Sequence, residues 1–145
     1  MRPLAAIAAK LVSRSWHLVL LADSYRRAGR LNEGFTALDE LERLIEATHV
    51  RHHEALLHLI RGDLLIGLDE LPAARASFQK AITVARRQSA KLYELRAATS
   101  LARLWRDQGK RTEARDLLAP IYGWFTEGFD TPVLQDAKAL LDELA

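Results

Sequence analysis

Most of the chain's histidines, His49, His52, His53 and His58, crowd into one short stretch. Imidazoles four residues apart on a helix share a face, so His49 with His53 has the spacing of a metal-ligand pair, and Glu54 with His58 has it too. No acid completes the His-Glu-x-x-His pattern, and His49 falls where a turn is expected. The cluster therefore reads as a polar connection between helices, with a histidine-bound metal as the rival reading. The adjacent carboxylates Asp39-Glu40, Asp69-Glu70 and Asp142-Glu143 do not make acid/base pairs, because neighbouring helical residues point apart. With 0 cysteines, disulfides, thiolate catalysis and cysteine-bound zinc are excluded. No nucleophile elbow is present, and Gly109-Lys110 lacks both the upstream glycine and the following Ser/Thr of a phosphate loop. The expectation is a protein with no catalytic residue, no metal and no cofactor.

What remains is surface chemistry, and the totals bound it. The 145 residues suit one domain able to bury roughly 70% of its unfolded surface. The net charge is +2, and Arg and Glu are mixed along the chain rather than gathered in a basic stripe with aromatics, so no nucleic-acid partner is expected. No apolar run reaches about 18 residues, so no membrane span is expected. The apolar stretch 4–9 ends at Lys10, short of a signal-peptide core. These readings place the protein in the cytoplasm.

The elements that position the charged groups repeat with a period of about 40 residues. Gly29, Asp69 and Gly109 keep that spacing. So do Ala22, Gly62 and Ala102; Tyr25, Leu65 and Trp105; Gly34, Ala74 and Ala114; Leu38, Phe78 and Leu118; and Leu41, Ala81 and Ile121. Small residues recur where helices must approach closely, and large ones recur where space must be filled. Apolar spacing predicts helices throughout and no strands. A helix ends at Ala28-Gly29-Arg30, and the next starts near Asn32 with Phe35, Leu38, Leu41 and Ile45 on its inner face. Further helices are predicted at 53–68, from Pro72 with Phe78, Ala81, Ile82 and Ala85, at 92–108, and from Thr112. Pro120 should kink or end the last of these. Thr131 and Pro132 read as an N-cap and first-turn proline opening a final helix to Glu143, with Leu134, Ala137, Leu140 and Leu141 on one face. Trp124, Phe125 and Phe129 are expected to pack beneath it.

The domain thus divides into repeats at 15–48, 53–88 and 92–127 and a terminal capping helix at 131–145. By the same register Leu4 aligns with Leu44 and Val84, so 3–12 reads as the second half of an outer helix, the remnant of a truncated repeat, and Met1 falls inside a repeat. A self-association unit, in which this N-terminal helix pairs with a second copy as a homodimer, is the alternative it raises.

Within each period the order of residues resembles the tetratricopeptide repeat. Leu18, Leu21, Ala22, Tyr25, Gly29, Gly34, Leu38 and Leu41 carry the pattern in the first repeat. Ala98, Leu101, Ala102, Trp105, Gly109, Ala114, Leu118 and Ile121 carry it in the third, while Arg61 departs from it in the second. Segments 86–109 and 114–131 resemble the C-terminal tetratricopeptide region of bacterial multidomain signalling proteins that join an adenylate/guanylate cyclase or regulator domain to an ATPase domain. The resemblance implies an all-α, right-handed superhelix of helical hairpins with a capping helix. It also implies a non-catalytic interaction or regulatory module that holds a peptide or protein in its concave groove.

Carried over by register, that groove is lined by Trp16, Val19, Asp23, Arg26 and Arg27, then Leu56, Leu59, Asp63 and Ile66, then Arg96, Thr99, Arg103 and Arg106. Its last third is rich in arginine, which grips carboxylates with two parallel hydrogen bonds. The expected partner is therefore an acidic protein segment or chain terminus near Arg103 and Arg106.

Overall fold

The computed structural model describes residues 3–145; Met1, which the register sets inside a repeat, lies outside them. Among the described residues the fold is all-α, with seven helices and no strand: α1 (Leu4–Arg27), α2 (Leu31–Thr48), α3 (Glu54–Gly67), α4 (Leu71–Arg87), α5 (Lys91–Asp107), α6 (Arg111–Gly123) and α7 (Pro132–Leu144). Each helix packs on its neighbours in the chain. The odd-numbered helices also touch one another, α1 with α3, α3 with α5 and α5 with α7, and so form an inner layer backed by α2, α4 and α6.

The period seen in the sequence is a period of the structure. Ala22 and Ala102 are fully buried where the odd helices meet their partners, and Gly62 is buried at the same register. Leu38, Phe78 and Leu118, also buried, fill the facing layer. The turns repeat too. Gly29, Asp69 and Gly109 all take positive φ, at 74°, 58° and 81°. After each, an amide reaches back five residues: Arg30 to Tyr25 at 2.9 Å, Glu70 to Leu65 at 2.9 Å and Lys110 to Trp105 at 2.8 Å. This is a Schellman-type close, which satisfies the last carbonyls of the ending helix. Ser89 (φ 55°) makes the same turn between α4 and α5, with the Ala90 amide on the Ala85 carbonyl at 2.8 Å.

Two of these four left-handed positions carry a side chain, which costs about 1 kcal/mol relative to glycine. Asp69→Gly and Ser89→Gly should each raise stability by about 0.5–1 kcal/mol, read as a higher urea midpoint at unchanged slope.

Several expectations need correction. Residues 3–12 do not form a helix of their own, because α1 runs unbroken from Leu4 to Arg27. Nothing in 9–13 supplies the turn that His49–His53 supplies one period later: Ala9, Lys10 and Leu11 favour continuation and no glycine or proline interrupts, whereas His49 takes a left-handed φ of 58°. The C-terminal half of α1 puts Leu18, Val19 and Ala22 into the core, while Leu4 is 85% exposed and Ile7 is also exposed. By length and composition α1 would also suffice to cross a bilayer, with mean hydropathy 1.4 over its apolar stretch, where the sequence reading expected no such helix.

Pro120 is held inside α6, which ends soon after at Gly123 and is shorter than α2 or α4. Thr131 sits at the start of α7 with extended backbone, but its hydroxyl donates back to the Gly128 carbonyl at 2.6 Å instead of capping the helix. Leu144 joins the buried face of α7, and Leu141 lies at its edge. Of Trp124, Phe125 and Phe129 only Phe125 packs against the core, beside Tyr122; Trp124 and Phe129 are exposed. The Lys91 ammonium lies over the Trp124 ring at 5.3 Å.

Candidate functional site

The odd helices bring one turn each to a shared cavity of about 280 Å³. α1 contributes Arg26 and Arg27; α3, Leu59 and Asp63; α5, Arg96, Thr99, Ser100 and Arg103; α7, Val133 and Asp136. Seven of the groove residues expected from the sequence therefore meet in one place. Others do not. Val19 and Leu56 are buried in the core and do not line the cavity, although Leu59 and Thr99 at the register of Val19, and Arg96 at that of Leu56, do. Trp16 lies apart, 43% exposed, with its ring 5.3 Å from that of His53. Ile66 lines an adjoining chamber.

The charges in the cavity differ in how well they are matched. Asp23 takes both arginines of its own helix, Arg26 at 2.8 Å and Arg27 at 3.0 Å. Arg103 reaches Asp136 of α7 at 4.0 Å. Arg106, expected to face a partner's carboxylate, is occupied instead: Glu143 of α7 binds it at 2.6 Å and Asp107 at 3.0 Å. Arg96, half-buried, has no carboxylate within ion-pair distance among the described residues. Asp63, on the cavity floor, is pushed up to about 6 by burial, against the pull of Arg26, Arg96 and Arg103 and with a further push from Asp23. Thr99 lines the cavity with its hydroxyl already donated to the Leu95 carbonyl at 2.8 Å.

Sequence reasoning missed Asp136 and Glu143, and with them the local neutralisation of Arg103 and Arg106. The signal was present, since one further period from Arg96 and Arg103 lands on those two acids.

The histidines go to different places. His53 at the start of α3 is hydrogen-bonded to Ser15 of α1, Nδ1 to Oγ at 2.8 Å. Its pKa is lowered, first by burial and then by His52. Ser15 is only 1% exposed, so no substrate reaches its hydroxyl, and no carboxylate among the described residues orients His53. The pair is an interhelical tether. His58 is buried in α3 and lowered to about 4 by desolvation and by Lys80 and Arg61. Among the described residues no group of three His, Cys, Asp or Glu side chains is placed to hold a metal ion. Glu54 and Glu94, one period apart, are buried first-turn acids held by Arg51 at 2.6 Å and Arg86 at 2.8 Å.

No known protein family, curated protein or solved structure matches this chain.

Proposed function

We propose that the chain is a tetratricopeptide-like superhelix capped by α7, and that its inner face binds an acidic segment of a partner protein without catalysis. The observation that carries this reading is the convergence of Arg26, Arg27, Arg96 and Arg103 on one open cavity, with Arg96 left without an acidic partner among the described residues. A guanidinium so placed holds its donors ready for a carboxylate from outside. The docking point is centred on Arg96 rather than on Arg103 and Arg106, since α7 supplies acids to the latter two. The likeness to the terminal repeats of cyclase–ATPase signalling proteins adds the proposal that occupancy of this face regulates an attached or associated domain.

The test uses a fluorescein-labelled octapeptide of glutamate and aspartate with one central leucine, followed by anisotropy. Arg96→Glu should weaken binding by about 10- to 100-fold, as expected for losing a charge-assisted pair and meeting like charge. Arg106→Glu should change it by less than about threefold, since that side chain is already engaged. Equal binding by wild type and Arg96→Glu would sink the proposal.

A further inference from the structure

The arginine cavity does not end at α5. A second chamber of about 290 Å³ opens between α3, α4 and α5. Its lining is of another kind: Ile66, Leu71, Phe78 and Leu104 supply apolar walls, with Asp107 and Gln108 at one end. Phe78 and Leu104 belong to the core and are 1% and 5% exposed, so the chamber floor is rigidly packed. Ile66, at 39% exposure, stands at the rim. Asp63, Ser100 and Arg103 line both chambers and form the seam between them.

We infer that the two chambers read a single feature of one ligand: a large apolar side chain beside a carboxylate, in an acidic peptide segment. This rests on the acidic-segment reading above and names what that segment must contain. Four arguments select the occupant. The charged chamber holds four arginines against Asp63, Asp136 and the Asp23 that pairs Arg26 and Arg27, a net positive balance whose complement is anionic. The apolar chamber has room for a leucine-, methionine- or phenylalanine-sized group, and such a group leaves water at a gain set by its area. Asp63 at the seam repels a carboxylate from the apolar side, so the acid is directed to Arg96 and the neutral side chain to Phe78. The cavity crosses turns of α1, α3, α5 and α7, a span suited to an extended chain rather than to a compact metabolite.

The probes are labelled acidic octapeptides identical except for one central residue, leucine or alanine, each made with a free and an amidated C-terminus. In wild type the leucine peptide should bind about tenfold more tightly than the alanine peptide. In Ile66→Asn, a change at an exposed rim position that leaves the charge unaltered, the preference should fall to about twofold or less. In Arg96→Glu both peptides should weaken while the preference survives. A tight free-acid form against a weak amide assigns the carboxylate to the chain end; equality assigns it to a side chain. Equal binding of leucine and alanine peptides would overturn this inference and leave the acidic-segment reading standing. Failure of all four peptides to bind would overturn both. A preference unchanged in Ile66→Asn would remove the chamber from the recognition, and decanoate displacing the peptide at its own concentration would overturn the peptide as ligand.

Discussion

Gly62→Ala should lower the unfolding free energy by about 2 kcal/mol, and adding Phe78→Leu should restore most of it. A methyl group built on Gly62 comes within 2.4 Å, 2.6 Å and 2.9 Å of three Phe78 ring carbons, distances that real side chains do not hold. Phe78 is 1% exposed inside the main cluster, so its ring can give way only toward the adjoining chamber and at a cost in core packing. Three contacts under 3.0 Å put this overpacking at the upper end of its usual range, about 3 kcal/mol, set against a gain of about 1 kcal/mol when alanine replaces glycine in a helix. The rescue follows from the period. One register earlier the small position is Ala22 and the filling position Leu38; one register later they are Ala102 and Leu118. The double variant therefore rebuilds in the middle repeat the pair that the flanking repeats already use. Phe78→Leu alone leaves a void and should cost about 1 kcal/mol, so the two changes should couple favourably in a double-mutant cycle. Gly123→Ala, where the added methyl meets nothing within 4 Å, is the control. A neutral or stabilising Gly62→Ala would show that α3 and α4 can move apart, and the close-approach account would fall.

That small–large complementarity also explains why the fold was legible. Ala22, Gly62 and Ala102 mark buried close contacts between helices, and Gly29, Asp69 and Gly109 mark left-handed turns, so both were visible as residue types at fixed spacing. Helix ends within one or two residues followed from the turns. The break assumed near residue 12 was not legible. Register alignment carries an expected turn forward or backward whether or not a residue is present that favours one, and α1 has neither glycine nor proline there. The arginine-lined cavity was legible by half. Position along an odd helix identified Arg26, Asp63, Arg96 and Arg103, but the same register gave Val19 and Leu56, which the core takes up entirely. The apolar chamber was hidden because its walls, Leu71, Phe78 and Leu104, come from two helices and read as ordinary core. Asp136 and Glu143 were hidden for a different reason. They lie on α7, which reads as a cap, although its side chains continue the inner face that α1, α3 and α5 begin.

Acid titration should expose two buried groups working against each other. His58 is lowered to about 4 by desolvation, by Lys80 on α4 and by Arg61 on its own helix, with Glu54 and Glu42 opposing. Above pH 6.5 it is neutral in both states and contributes nothing. As the pH falls from 6.5 to about 4 the unfolded chain takes up a proton that the folded chain refuses, so stability is lost. Asp63 runs the other way. Its carboxyl is raised to about 6 by burial, facing Arg26 and Asp23 from α1, Arg96 and Arg103 from α5, and Asp136 across the cavity. Between pH 6 and 3.8 the folded chain holds a proton that the unfolded chain does not, so stability is gained as the pH falls. With solvent screening allowed for, each effect is on the order of 2 kcal/mol. The wild-type protein should therefore change little from this pair between pH 7.5 and 4.5. Asp63→Asn removes one side of the balance: it should be more stable than wild type at pH 7.5 and lose about 2 kcal/mol by pH 4.5. His58→Gln should instead gain stability on the same acidification. Urea midpoints at the two pH values read all three proteins. If Asp63→Asn and wild type shift in parallel, Asp63 is not the buried acid of this cavity. A charge kept at a cost in stability, at the seam where the arginine and apolar chambers meet, is what the proposed binding role would require of Asp63.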